Sequence, residues 1–133
     1  MNPHKFRSQH GPEWHIQQEL IEFLAIRKWC VEVTNGNIYQ VGFPDLYIAH
    51  KKYGTRWIDC KNPERYTFTG AQKDKWPLWD SYGIGIWIIT AATEAEYDKL
   101  FQPPNWRAYW KKEWTEDSEA MKRLVEDLRN ATD

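Results

Sequence analysis

Asp45, Asp59 and Lys61 are the residues of this 133-residue chain whose types and spacing could do chemistry. Two carboxylates supply the oxygen ligands that a hard divalent cation takes. An ammonium beside them can orient a water or neutralise charge building on a phosphoryl group. The stretches that carry them are Gly42-Phe43-Pro44-Asp45-Leu46-Tyr47-Ile48-Ala49-His50 and Arg56-Trp57-Ile58-Asp59-Cys60-Lys61. Both are rich in β-branched and aromatic residues, and turn residues separate them, so they read as an antiparallel hairpin. Strand alternation sets Trp57, Asp59 and Lys61 on one face and Ile58 and Cys60 on the other. Pairing about Tyr53 puts Asp45 opposite Lys61, with Asp59 one diagonal step away; a one-residue slip would turn one strand's set to the opposite face. The alternative for such a trio is an ordinary cross-strand charge pair. Against it stand the apolar neighbours of Asp59, because carboxylates rarely sit unpartnered in a buried strand. Pro44 also fixes the backbone just before Asp45.

Pro44-Asp45, thirteen intervening residues, then Asp59-Cys60-Lys61 resembles the PD-(D/E)xK motif of metal-dependent nucleases. More narrowly, Gly42-Phe43-Pro44-Asp45-Leu46 and Phe68-Thr69-Gly70-Ala71-Gln72 resemble the VRR-NUC branch and related Holliday junction resolvase-like enzymes. The likeness runs from about Glu13 to Thr90. Asp59 stands where many members of that branch carry Glu, which shortens the reach to a metal by one methylene. The resemblance implies an α/β, restriction-endonuclease-like fold: a central mixed β-sheet flanked by helices. It implies a catalytic set of Glu13, Asp45, Asp59, Lys61 and Gln72. Asp45, Asp59, the Cys60 backbone carbonyl and Glu13 would hold one or two Mg²⁺ or Mn²⁺ ions, with no organic cofactor. The implied activity is hydrolysis of DNA phosphodiesters, selective for Holliday junctions or other branched DNA, by a homodimer. A less specific restriction- or repair-type nuclease and a non-catalytic nucleic-acid-binding module stay open beside it.

The elements that must position these groups are legible in outline. Pro12 opens a helix that runs to Lys28, with Ile16, Leu20, Ile21, Phe23 and Leu24 at helical spacing. Glu13 falls on the stripe of Ile16, Gln17, Leu20 and Leu24, while Glu19 and Glu22 point elsewhere. Glu13 is equally explained as a first-turn partner of the helix dipole. Glu13-x-x-Ile16-Gln17 is also similar to the opening-helix Glu and "iQ" of VRR-NUC domains. Gln17 would then bond a ligand or a metal water, or else be a satisfied polar group at the core edge. Trp29 to Thr34 alternates as a strand, and Asn35-Gly36-Asn37 signals a turn. Thr69-Gly70-Ala71-Gln72 fits a capping box, which accounts for Gln72 without catalysis; the resemblance gives it a second duty near the scissile phosphate. That helix runs to Tyr82, and Pro77 is expected to kink or split it. Ile84 to Thr90 reads as a buried central strand. Thr93-Glu94-Ala95-Glu96 is a second capping box. The segment 106–114 is aromatic and basic, suited to stacking on nucleic acid but more commonly packed on its own core or a second subunit. A charged helix from Asp117 to Arg129 closes the chain.

Length allows one domain, 1–133, with residues 1–11 as a loose arm and about 102–133 as a candidate dimer element. The net charge of −1 gives nucleic-acid binding no help, and its distribution is compatible with DNA binding without requiring it: residues 1–76 carry eleven Lys/Arg against eight Asp/Glu, and 77–133 carry seven against eleven. Arg65, Tyr66, Lys51, Lys52, Lys73 and Gln17 are the candidate nucleic-acid contacts. His4 and His10 have no metal-type spacing. Cys30 and Cys60 are expected to be buried, reduced thiols. No leader or long apolar run is visible, so a soluble cytoplasmic protein without membrane contact is expected.

Overall fold

The computed structural model describes residues 11–34 and 38–132. The rest of the N-terminal arm and the Asn35-Gly36-Asn37 turn lie outside the described residues. In chain order the elements are α1 (Pro12–Ile26), β1 (Cys30–Val33), β2 (Leu46–His50), β3 (Gly54–Cys60), α2 (Gly70–Ser81), β4 (Ile86–Ile89), α3 (Glu94–Tyr97), α4 (Lys112–Asp117) and α5 (Glu119–Thr132). Single 3₁₀ turns occupy Ile38–Gln40, Asp98–Phe101 and Trp106–Tyr109. The four strands form one sheet in the order β1-β2-β3-β4. The first two pairs are antiparallel, whereas β4 returns parallel to β3 after the α2 crossover. Such a crossover is what a parallel neighbour requires. The result is a mixed sheet flanked by helices.

Period-two alternation divides the core into two layers. Leu46, Ile48, Ile58, Cys60 and Ile89 pack against Leu20 and Leu24 of α1 and against Trp29 and Leu100. On the opposite face Ile86 and Ile88 pack with Phe68, Trp76, Trp106, Trp114 and Met121, and with half-buried Trp57. The aromatic segment therefore folds back onto its own sheet. Cys60 is buried as expected, but Cys30 is exposed on edge strand β1; β4, expected to be central, forms the other edge and is nevertheless mostly buried. No helix among the described residues is long and apolar enough to cross a membrane.

Three local devices hold α2, the crossover helix, in place. Its N-terminus carries the complete Thr69–Gln72 capping box. Pro77 does not split it: the helix is continuous from Gly70 to Ser81. A proline at 77 has no N–H to give the Lys73 carbonyl one turn back. The buried Ser118 hydroxyl donates to that carbonyl instead (3.4 Å) and accepts the Met121 N–H (3.1 Å) at the start of α5. Finally, the Trp76 indole N–H donates to the Gly42 carbonyl at 2.8 Å, tying α2 to the lead-in of β2. At Thr93 the box is only half made. Its hydroxyl accepts the Glu96 N–H, but the Glu96 carboxylate bonds Thr90 N–H and hydroxyl at the end of β4.

Gly42 has φ +83°, and a Cβ there would lie 2.8 Å from the Ala71 backbone carbon and oxygen. Left-handed backbone plus overlap with a helical main chain leaves no cheap relaxation. Gly42→Ala is expected to cost roughly 2–4 kcal/mol in urea unfolding. A variant as stable as the parent would show that this close approach is not required.

Candidate functional site

In the observed register Leu46 pairs with Ile58 and His50 with Gly54. One further step sets Asp45 opposite Asp59 rather than Lys61, so the hairpin is centred on Lys52, not Tyr53. The slip is an even number of residues, and parity keeps Asp45, Asp59 and Lys61 on the expected common face. That face is the one covered by α2.

Each carboxylate accepts a backbone N–H from the opposite strand. The Asp45 N–H donates to Asp59 Oδ1 (3.2 Å), and the Cys60 N–H donates to Asp45 Oδ2 (2.9 Å). Thr34 holds the same corner, its N–H donating to the Asp45 carbonyl (2.9 Å) and its hydroxyl to the Pro44 carbonyl. Lys61 Nζ lies 2.9 Å from Asp59 Oδ2 and donates to Gln72 Oε1 (3.1 Å). Gln72 Nε2 reaches Asp59 Oδ1 at 3.4 Å, while Oε1 also takes the Thr69 N–H at 3.1 Å. One amide thus serves the helix cap and the charged cluster together. Glu13 arrives from α1, where its Oε1 accepts the Asn62 N–H at 3.5 Å just beyond β3. Asp59 is 1% exposed and Lys61 3%, whereas Asp45 and Glu13 are half-buried at the rim.

Burial sets the electrostatics. Desolvation, and then the Asp45 charge, push the Asp59 carboxyl up to about 8, outweighing the attraction of Lys61. Burial likewise raises Asp45, against the Cys60 N–H and Lys61, which favour its anion. The Cys60 thiol is pushed well above its ordinary value by the same desolvation and by the neighbouring carboxylates, so it is no nucleophile. Asp59 Oδ2 has the Lys61 counter-charge but accepts no hydrogen bond. Among the described residues no three His, Cys, Asp or Glu side chains group closely enough to hold a metal ion. A cation here would depend on Asp45 and Asp59 with backbone carbonyl and water, a donor set of the kind Mg²⁺ accepts.

The other sequence candidates scatter. Gln17 is buried one turn beyond Glu13 on α1. Arg65 is exposed in the loop after Lys61, and Tyr66 is half-buried among Phe68 and Tyr109. Lys73 Nζ lies 4.8 Å over the Trp114 ring. Lys51 and Lys52 are not with the cluster: they follow His50 at the other end of β2, roughly 16 Å from Asp45 at His50 and roughly 20 Å at Lys51 by strand rise. Two residues outside the sequence candidates complete the surroundings of Lys61. Phe68 and Trp76 present their rings to Nζ at 5.1 and 5.6 Å, where a desolvated cation is attracted to the aromatic face. The one signal for Trp76 is its place four residues after Gln72 on the same helix face. No family model matches the chain, and neither a curated protein nor a solved structure matches it.

A carboxyl whose folded pKa is raised favours the folded state fully below its ordinary value near 3.8 and loses that contribution as pH climbs through about 8. In EDTA the unfolding free energy of the parent should therefore fall between pH 5 and 8.5, relative to Asp59→Asn, by on the order of a few kcal/mol. Urea denaturation at four pH values measures it. A pH-independent difference would mean that Asp59 is ionised throughout.

Proposed function

We propose that the chain is a divalent-metal-dependent endonuclease that hydrolyses DNA phosphodiesters, with a restriction-endonuclease-like fold of the PD-(D/E)xK type. The observation that carries this reading is that half-buried Asp45 and buried Asp59 stand opposite each other with Lys61 and Gln72 closing on Asp59. A buried carboxylate that Asp45 and burial push towards protonation, with Lys61 as its counter-charge, suits a hard cation, which would take the place of the proton that burial otherwise favours. Asp45, Asp59 and the Cys60 carbonyl would hold Mg²⁺ or Mn²⁺, one or two ions, with Glu13 at the rim. When bound, such an ion supplies Lewis acidity to a phosphoryl oxygen and a reactive hydroxide near neutral pH.

The chain's own residues do the rest. Gln72 and Asp59 fix the Lys61 ammonium from two sides, so that its charge is in place for the negative charge that develops on the phosphate. Water oxygen attacks phosphorus, the ester P–O bond breaks, and a phosphate monoester and a hydroxyl end result. Asp45 and Glu13, half-buried, form the side from which a nucleic-acid backbone approaches. A preference for branched DNA and action as a homodimer rest on the motif resemblance alone. A non-catalytic nucleic-acid-binding module is the second reading, favoured by how completely Asp59 and Lys61 neutralise and bury each other.

Cleavage of junction, flap, duplex and single-stranded DNA in Mg²⁺ separates these readings. The parent should cut, branched forms first, and Asp59→Asn should lose roughly two orders of magnitude or more with an unchanged circular dichroism spectrum. Equal cutting by Asp59→Asn would remove the proposed site, and DNA binding without any Mg²⁺-dependent product would leave the module.

A further inference from the structure

At the opposite end of the hairpin a cavity of about 580 Å³ is lined by Lys28, Trp29, Cys30, His50 and Lys51. Its chemistry is cationic and aromatic. Neither Lys28 nor Lys51 pairs with a carboxylate among the described residues, and no acid lines the walls. Behind them the His50, Trp29 and Tyr53 rings pack as a triangle (His50–Trp29 5.1 Å, His50–Tyr53 4.6 Å, Trp29–Tyr53 6.1 Å between centroids), and Lys52 Nζ sits 5.5 Å over Tyr53. His50 Nδ1 accepts the Lys52 N–H at 3.0 Å, so the neutral imidazole carries its proton on Nε2 and remains a donor there.

Lys28 is the informative residue. It has φ +73°, the one non-glycine in the left-handed region among the described residues. The Lys28 N–H bonds the Ala25 carbonyl and the Trp29 N–H the Leu24 carbonyl, which closes α1 in the manner normally served by glycine. A lysine here carries a backbone cost that glycine would not. That residue also lines the cavity.

We propose that this cavity binds a nucleoside phosphate, its base against the His50–Trp29 wall and its phosphate between Lys28 and Lys51. The volume lies in the range that holds a nucleotide-sized ligand. Clustered lysines without acids select an anion, and flat rings beside an N–H donor select a planar, hydrogen-bonding partner. The ligand is either a free nucleotide or the phosphorylated end of a strand. The site stands apart from the carboxylates, so it goes beyond the endonuclease reading and survives its failure.

The test is calorimetric titration of the whole chain in EDTA with four probes: deoxyadenosine monophosphate, deoxyadenosine, inorganic phosphate and a 5′-phosphorylated trinucleotide. Alkylation of Cys30 is followed in parallel, Cys60 being buried. The monophosphate or the trinucleotide should bind at least about tenfold tighter than nucleoside or phosphate alone and slow Cys30 alkylation. Tighter binding of the trinucleotide would identify a strand end, and equal binding a free nucleotide. Lys28→Gly should weaken the interaction about tenfold while leaving Tm unchanged or raised, a combination that a merely structural lysine would not give. Phosphorylated probes that bind no better than nucleoside or phosphate, or full affinity in Lys28→Gly combined with Lys51→Ala, would overturn the proposal.

Discussion

Asp59 is a carboxylate with 1% of its surface exposed, placed against a second carboxylate, and the surrounding structure is arranged to tolerate it. Taking an ionised group out of water costs several kcal/mol unless charge and hydrogen bonds replace the solvent. Here the replacement comes from three directions: the Lys61 ammonium on the same strand face, the Gln72 amide across the layer, and the Asp45 N–H from the neighbouring strand. Even so Oδ2 has no partner beyond the Lys61 ammonium. A core evolved for stability alone would more simply carry an apolar side chain in that place, since well-packed hydrophobic replacements of buried ion pairs are often neutral or stabilising.

The dependence runs outward from that cluster. Gln72 completes the N-terminal box of α2 and bridges Lys61 to Asp59, so the start of the crossover helix and the charged site share one register. Trp76 repeats the coupling a turn later: its ring borders the Lys61 ammonium and its N–H holds Gly42, just ahead of Pro44-Asp45. Ser118 supplies the bond that Pro77 cannot, which joins the C-terminal helices to the same crossover. The aromatic C-terminal segment is thus part of the wall behind the site.

Much of this was legible because local chemistry and the fold agree. Thr-x-x-Gln is a strong helix start, strand parity alone placed Asp59 and Lys61 on one face, and Asp45 joined them because the expected register was off by an even number of residues. What could not be read was anything set by distance across the chain. Hairpin register depends on where the turn closes; Gly54, with φ +84°, opens β3 and centres the pairing on Lys52, a feature that several turn residues in a row conceal. Lys51 and Lys52 resemble any basic pair until β2 carries them away from the carboxylates. Cys30 lies in a strand-like run, and only the sheet order reveals an edge. Pro77 reads as a break because its remedy, Ser118, is remote in sequence.

The central claim is that the Asp45–Asp59 pair exchanges a proton for a divalent cation. Calorimetric titration with Mn²⁺ at pH 7, in two buffers of different ionisation enthalpy, tests it most directly. The expected result is saturable binding that releases about one proton and disappears in Asp59→Asn. Absence of binding, or equal binding by Asp59→Asn, would contradict it.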